Sequence, residues 1–295
     1  MLSHHPSPHQ LAQLVGQEAV QLRPLPVYYP IEADAAAPPE CVTLAVLDCE
    51  TTGLDANADI IDLAVIVIHV DPATGLIRSM RPPRCSLNEP TQPIPPEITA
   101  LTGIRDADVK GQAINVSAFA RDLVGADFIV AHNAAFDHAQ VTKLIPGASS
   151  RPWLCSLHDV AWRNLGFESG MLRMLAFDLG FSYRGHRAMA DVLALLAILN
   201  SPLSHAGRSG TYFGELLSGA RRERYLVKAV GSAYSTKDLL KAHGYRWDDQ
   251  ARVWWRMVDQ DELDAERSWL SAHVYSGPCR ARIDKLDPLR RFERV

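Results

Sequence analysis

The stretch LAVLDCETTGL, Leu44 to Leu54, decides the fold. An apolar run leads into Asp48-Cys49-Glu50, and Thr51-Thr52-Gly53 closes it as a turn. The pattern predicts a strand from Val42 to Leu47 that continues through Asp48–Glu50. Successive strand side chains leave opposite faces, so the two carboxylates share one face and Cys49 points into the other. Two acids side by side repel unless a cation joins them. Oxygen ligands of this kind suit a hard divalent ion such as Mg2+ or Mn2+. A solvated acidic pair at a strand end would look the same, and this stretch alone does not choose.

Working outward, Ile60 to Val70 is rich in β-branched residues and predicts a second strand. Residues 71–75 read as a hairpin turn, Leu76 to Met80 as a third strand, and Pro82 to Pro96 as irregular. Thr99 to Gly103 predicts a short helical turn, and Val116 to Val124 a helix. Phe128 to Ala131 predicts a short strand that delivers His132 and Asn133 at its end. Helices follow over 136–144, around 157–164, over 171–179 and over 188–199, with a strand at 153–157. This order predicts an α/β fold, a mixed central sheet flanked by helices. Asp137 stands early in the helix after Asn133, near the sheet edge. Asp191 sits within the apolar helix Ala188 to Leu199, where an unpaired carboxylate costs several kcal/mol without a cation or donor. His186, five residues earlier, fits either a general base over that site or a helix-entry hydrogen-bond donor.

These residues together resemble the DEDDh branch of the DEDD exonuclease superfamily. That branch includes the proofreading exonuclease subunit of bacterial replicative polymerases and its freestanding relatives. Its Asp-x-Glu-Thr-Thr-Gly motif is matched by Asp48 to Gly53, with Leu54 following. Its His-Asn-x-x-Phe-Asp motif is matched by His132 to Asp137, and its His-x4-Asp motif by His186 to Asp191. The connector Ile98-Thr99-Ala100-Leu101-Thr102-Gly103-Ile104 fits as well, and no acidic position departs from the pattern. The resemblance covers about residues 41–200. It implies a ribonuclease-H-like fold whose four carboxylates hold two divalent cations. Asp48 would bridge both ions, Glu50 and Asp191 would complete the first, and Asp137 would support the second. His186 would deprotonate the attacking water, releasing a nucleoside 5′-monophosphate from a 3′ end. Thr51, Thr52 and Gly53 would offer backbone amides to the terminal nucleotide. Leu54 would wedge against its base, and His132 and Asn133 would position the second-motif backbone or the phosphate region. Phe136 reads mainly as core. Cys49 is expected to face the core and be inert.

Composition supports a globular chain of 295 residues, 47% apolar and 22% charged, with a formal net charge of −4. No global basic field holds nucleic acid, so such binding must be local or bridged by metal. Charge is uneven: residues 221–295 carry a balance of +4 and residues 1–220 one of −8. The expected division is an N-terminal extension (1–40, with a short helix from Gln10 to Val20), an exonuclease domain (41–203), a linker (204–220), a small α+β module (221–277) and a basic tail (278–295), partly disordered. In the module, a strand over 225–230 precedes a helix capped by Ser235 with Asp238 and ending at Gly244. A hairpin and a closing helix over 261–272 follow. Its basic and aromatic residues, Lys237, Lys241, Arg246, Trp247, Arg252, Trp254, Trp255 and Arg256, suit accessory nucleic-acid contacts, with phosphates on cations and bases on rings. Docking to a partner and a purely structural aromatic core are the alternatives. Trp254 and Trp255 cannot both face inward from one regular strand.

The five cysteines lack short pair spacing, which argues against a zinc knuckle or a disulfide framework. His4, His5 and His9 have no acidic neighbour to make a metal site. His138 reads as surface or near-site, and His158 with Cys155 lacks a second ligand pair. No apolar run reaches the roughly 18 residues of a membrane span, and no signal peptide is read, so no membrane partner and a cytoplasmic location are expected. The leading expectation is a 3′–5′ exonuclease on DNA 3′ ends. The alternatives are a 3′–5′ exoribonuclease and a non-catalytic binding or polymerase-associated subunit. A polymerase or repair-complex partner and a homodimer are left open.

Overall fold

Strand β1 (Val42–Thr51) pairs antiparallel with β2 (Ile60–Val70) along its full length. β3 (Ile77–Met80) and β4 (Arg84–Leu87) both pair with β2. On the other side of β1 stand β5 (Phe128–Ala131) and β6 (Trp153–Cys155), both parallel to it. The order β3-β2-β1-β5-β6 gives a mixed sheet with β1 at its centre. The computed structural model describes residues 23–24, 40–55, 57–203 and 207–292. The expected helix at 10–20 and the histidines at 4, 5 and 9 lie outside these residues. Arg23 and Pro24 pair with Phe181 and Ser182.

Period-two alternation on β1 sorts the core into two layers. Leu44 and Val46 join Ala64, Ile66 and Val130 on one face, beneath α3 (Leu172–Asp178), α4 (Ala188–Leu199) and α5 (Tyr212–Ala220). Ala45, Leu47 and Cys49 face the opposite layer with α1 (Val116–Val124) and α2 (Ala134–Leu144). Helices on both faces explain why every residue of β2 is buried. Together, the strand order and two helical layers form the α/β, ribonuclease-H-like arrangement.

Several local expectations are corrected. The linker at 204–220 contains α5, whose Tyr212, Phe213 and Leu216 are fully buried in the first layer. Its Gly and Ser residues masked an apolar stripe of helical spacing. The irregular stretch 82–96 includes β4, held by pairing with β2 rather than by its own propensity.

The C-terminal region builds a four-stranded antiparallel sheet in the order β8-β9-β7-β10, from β7 (Arg224–Lys228), β8 (Arg246–Asp248), β9 (Val253–Asp259) and β10 (Arg282–Lys285). It has its own core of Val227, Leu240, Tyr245, Val258 and Leu270 with α6 (Lys237–Ala242) and α7 (Leu263–His273). Ser235 lies in a 3-10 turn, and Thr236 precedes α6 without a side-chain cap, so the predicted capping box is absent. The tail is ordered through Phe292: β10 pairs with β7, and Arg291 donates to Asp159. His138 is buried edge-on against Trp153, 5.2 Å between centroids, rather than on the surface. The five cysteines are free. Among the described residues no helix is long and apolar enough to cross a membrane.

If α5 belongs to the core, Phe213→Ala will destabilise the chain by about 3–5 kcal/mol. Urea unfolding followed by circular dichroism measures this; a linker residue would give a change near zero.

Candidate active site

The face of β1 that carries Leu44 and Val46 also carries Asp48 and Glu50, and α4 packs across it. The apolar side of α4, with Val192 and Leu195 buried, therefore brings Asp191 of its first turn over the two strand carboxylates. Oxygens of Asp48, Glu50 and Asp191 all lie within 4.8 Å of one another. Among the described residues this is the one group of side chains able to hold a metal ion. Asp137 stands beside this group and outside it. Its Oδ1 accepts from the Cys49 amide at 3.2 Å and the Cys49 thiol at 3.3 Å. Cys49 is buried in the core, as expected, and is also a hydrogen-bond donor to this acid.

Burial and mutual repulsion move these acids strongly. Burial is the largest cause for each, with neighbouring carboxylates adding to it for Asp48 and Glu50. Asp48 is pushed well above the carboxylate range, further raised by Asp137, Asp191 and Glu50. Glu50 is pushed up to about 8, with Asp191, Asp62 and Asp137 contributing. Asp137 rises to about 7, opposed by its bonds from Cys49. Asp191 rises too, opposed by the Tyr183 hydroxyl, which donates to Oδ1 at 3.0 Å, and by the Arg187 amide at 3.1 Å. An oxygen-only donor set with this much crowded negative charge fits a hard divalent cation.

His186 is exposed on the loop before α4, with the left-handed backbone φ of 64°. The adjoining Arg187 pins that loop: its amide donates to Asp191, and its Nε meets Asp62 at 3.1 Å. Asp62 also accepts from the Ala188 amide at 3.4 Å. Sequence reasoning missed Asp62, Arg187 and Tyr183. Asp62 stands out in the sequence as the one acid of a strand that is apolar but for it and His69, while its place beside the site comes only from the ladder, where it pairs with Glu50.

The remaining candidates divide. Leu54 is 86% exposed at the tip of the loop after β1. Thr51 spends its hydroxyl on the Gly53 carbonyl at 2.6 Å. The Thr52 amide donates to the Asp59 carbonyl at 2.9 Å, so it is not available to a nucleotide as expected. Asn133 adopts φ 80° as the residue preceding α2, a backbone role that asparagine tolerates. His132 bonds Ser156 Oγ at 2.7 Å and is pushed down to about 4 by burial, so it is neutral. Phe136 is half-buried in the second core layer. In the module, Arg256 bonds the buried Glu266 at 2.8 Å, and Trp254 packs in the core, so neither is free for a strand. Lys237 lies on Tyr234. Lys241, Arg246, Trp247 and Arg252 are exposed.

An acid whose pKa rises on folding stabilises the fold at low pH, and loses that contribution as pH climbs through the folded value. For Glu50 and Asp137 the window runs from their ordinary values near 4 to about 8 and about 7. In chelator, the melting temperature should therefore fall between pH 5 and pH 8. Added Mg2+ or Mn2+ should raise it more at pH 8 than at pH 5. A flat profile in differential scanning calorimetry contradicts this account.

Residues 45–199 match the sequence profile of the RNase_T exonuclease family. PolC-type DNA polymerase III of Bacillus subtilis (strain 168) is 29% identical over 187 residues, covering 60% of this chain and 12% of that protein. Its Oceanobacillus iheyensis counterpart is 37% identical over 99 residues, covering 32% and 6%. The chain thus spans a small fraction of the length of these relatives. Among solved structures, exonuclease X in complex with 5′ overhanging duplex DNA is 22% identical, covering 60% of this chain and 98% of that one, with a TM-score of 0.45. Escherichia coli exonuclease I with a dA16 oligonucleotide is 17% identical, covering 74% and 63%, with a TM-score of 0.47. The profile match takes in more than half of the chain and contains all four motif acids and His186, and the chain belongs to the RNase_T exonuclease family.

Proposed function

We propose that the chain is a two-cation 3′–5′ exonuclease that acts on DNA ends and releases nucleoside 5′-monophosphates. The observation that carries this reading is the convergence of Asp48, Glu50 and Asp191 beneath the loop that bears His186. Asp48, Glu50 and Asp191 would hold one divalent cation, Mg2+ or Mn2+, and Asp48 with Asp137 the second. When bound, the cations supply an activated water and offset the charge that develops on the leaving 3′ oxygen. His186 takes the proton of the attacking water, and its exposed imidazole can swing away to let product leave. Arg187, held by Asp62 and Asp191, fixes the point from which His186 reaches. Tyr183 orients the Asp191 carboxylate by its hydroxyl. The exposed Leu54 meets the last base, and a stacking contact of that kind carries little sequence preference.

In this reading residues 41–203, with α5 added, form the exonuclease unit, and 221–277 with the ordered tail form an appended module. A polymerase or repair complex is a fitting partner, because the curated relatives are polymerases. The second reading, a 3′–5′ exoribonuclease, uses the same acids and differs only in contacts to the 2′-hydroxyl.

End-labelled single-stranded DNA, duplex DNA and RNA should be followed over time with Mg2+, with Mn2+ and with chelator. Stepwise 3′ shortening that needs metal is expected, fastest on a DNA substrate, and lost in Asp48→Ala. Faster RNA shortening favours the second reading, and internal cuts contradict both. His186→Ala should lower kcat by about 10²- to 10⁴-fold. Asp62→Asn, which loosens the His186 loop, should lower kcat by about ten- to a hundredfold while KM moves little. Asp62→Glu should recover part of that loss. If Asp62→Asn moves KM and leaves kcat, Asp62 does not act through the His186 loop.

A further inference from the structure

The small sheet has two unlike faces. On one, Trp254 and Val258 pack against α6 and α7. On the other, Trp255 and Met257 of β9 point toward the exonuclease unit, and Arg246 of the edge strand β8 stands directly opposite Trp255 in the ladder. Between this face and residues 158–164 of the exonuclease unit lies a cavity of about 370 Å³. That is the size range of pockets that hold small organic ligands.

The charges around the cavity are unevenly matched. Asp159 is met by Arg224 and Arg291, Asp259 by Arg222 and Arg224, and Arg256 is held by Glu266 from within the module. Arg246 differs: among the described residues no carboxylate pairs with it, and its guanidinium lies 6.0 Å from the Trp255 ring centroid. His158, on the opposite wall, is held below its ordinary value by burial and then by the charge of Arg246, with Arg291 and Arg224 adding to it against Asp159. Glu262 also lines the wall, yet the guanidiniums there outnumber the carboxylates, and the cavity presents an unpaired guanidinium and an indole side by side, with Asn164 as a neutral polar group.

We propose that this cleft holds one nucleotide unit of a bound nucleic-acid strand, its phosphate on Arg246 and its base against Trp255. The choice of a nucleotide rests on the exonuclease reading, while the demand for an anion with a flat apolar partner comes from the cleft itself. The assignment narrows the accessory contacts expected in the module. Arg246 and Trp255 belong to the cleft, Trp254 and Arg256 serve the module's core, and Trp247 lies on the opposite face.

The test uses the full chain in chelator, where no strand is cut, with a fluorescein-labelled 20-nucleotide dT strand read by anisotropy at several salt concentrations. Arg246→Gln should weaken binding severalfold and reduce the slope of log affinity against log salt by about 0.7, one phosphate contact on a single strand. Trp255→Leu should weaken binding about tenfold, the loss of one stacked base. Wild-type affinity and slope in both variants, with circular dichroism unchanged, would overturn the proposal. Displacement of the strand by deoxyadenosine monophosphate as effectively as by unlabelled strand would also overturn it, in favour of a free-nucleotide site. Binding is measured apart from cutting, so the two readings fail separately. A chain that shortens no strand yet loses affinity in Arg246→Gln sinks the exonuclease reading and keeps the cleft. A chain that shortens 3′ ends with both variants binding normally does the reverse.

Discussion

Repulsion among crowded, half-buried carboxylates is the constraint around which this chain is arranged. Asp48, Glu50 and Asp191 share one small volume, with Asp62 and Asp137 close enough to push on them. Left to themselves, such acids would separate. They are held because the helix and strands that carry them are locked by apolar burial: Leu44, Val46, Val192, Leu195 and Ile198 lie in one continuous layer. Each fully buried side chain of that size contributes about 1.5–3 kcal/mol, and the layer has many. The apolar core thus imposes a charge density that the acids alone could not sustain, and a divalent cation relieves it. Among the described residues, Arg187 forms an ion pair with this group, on Asp62 at its edge.

The legibility of the site in the sequence follows from this division of labour. Alternation on β1 and the apolar repeat of α4 are local patterns, so Asp48, Glu50 and Asp191 were readable along with the elements that bring them together, and the bounds of α4 coincide with the expected ones. Asp62 was visible as an isolated acid, but its role was not, because that depends on which strand pairs beside β1 and in what register. His186 and Asn133 were visible as residues, but their left-handed backbone is set by the loops around them. Helix α5 was hidden for a different reason. Its glycines and serines signal a breaker, and the tertiary burial of Tyr212 and Phe213 overrides that signal.

The small module shows the limit of composition as a guide to surface. Its basic and aromatic residues read as one strand-binding patch, yet Glu266, only 5% exposed, gathers Arg256, Tyr245 and His243 into the interior. A buried acid needs partners, and it takes them from the residues that look most suited to the surface. Which cations remain for a ligand depends on pairing across the fold: Asp159, Asp259 and Glu266 are taken by other arginines, and among the described residues no carboxylate pairs with Arg246.

The join between the two units has a consequence for the acids as well. Asp159 is buried and accepts from the Cys155 amide at the end of β6, from Arg224 of the module and from Arg291 of the tail. Ser156, between those two positions, bonds His132 at the end of β5. The module is therefore anchored to the same segment that supports the strand leading into α2 and Asp137. Removing Asp159 would leave the buried Arg291 guanidinium without its carboxylate and Arg224 with Asp259 alone, a cost of several kcal/mol, and would free the segment that orients His132. A module attached this way is more than a tether. Its anchor at residues 155–159 and the second motif at 132–137 meet through the β5–β6 pairing and the His132–Ser156 hydrogen bond, so the cleft and the acid cluster are built on neighbouring strands of one sheet.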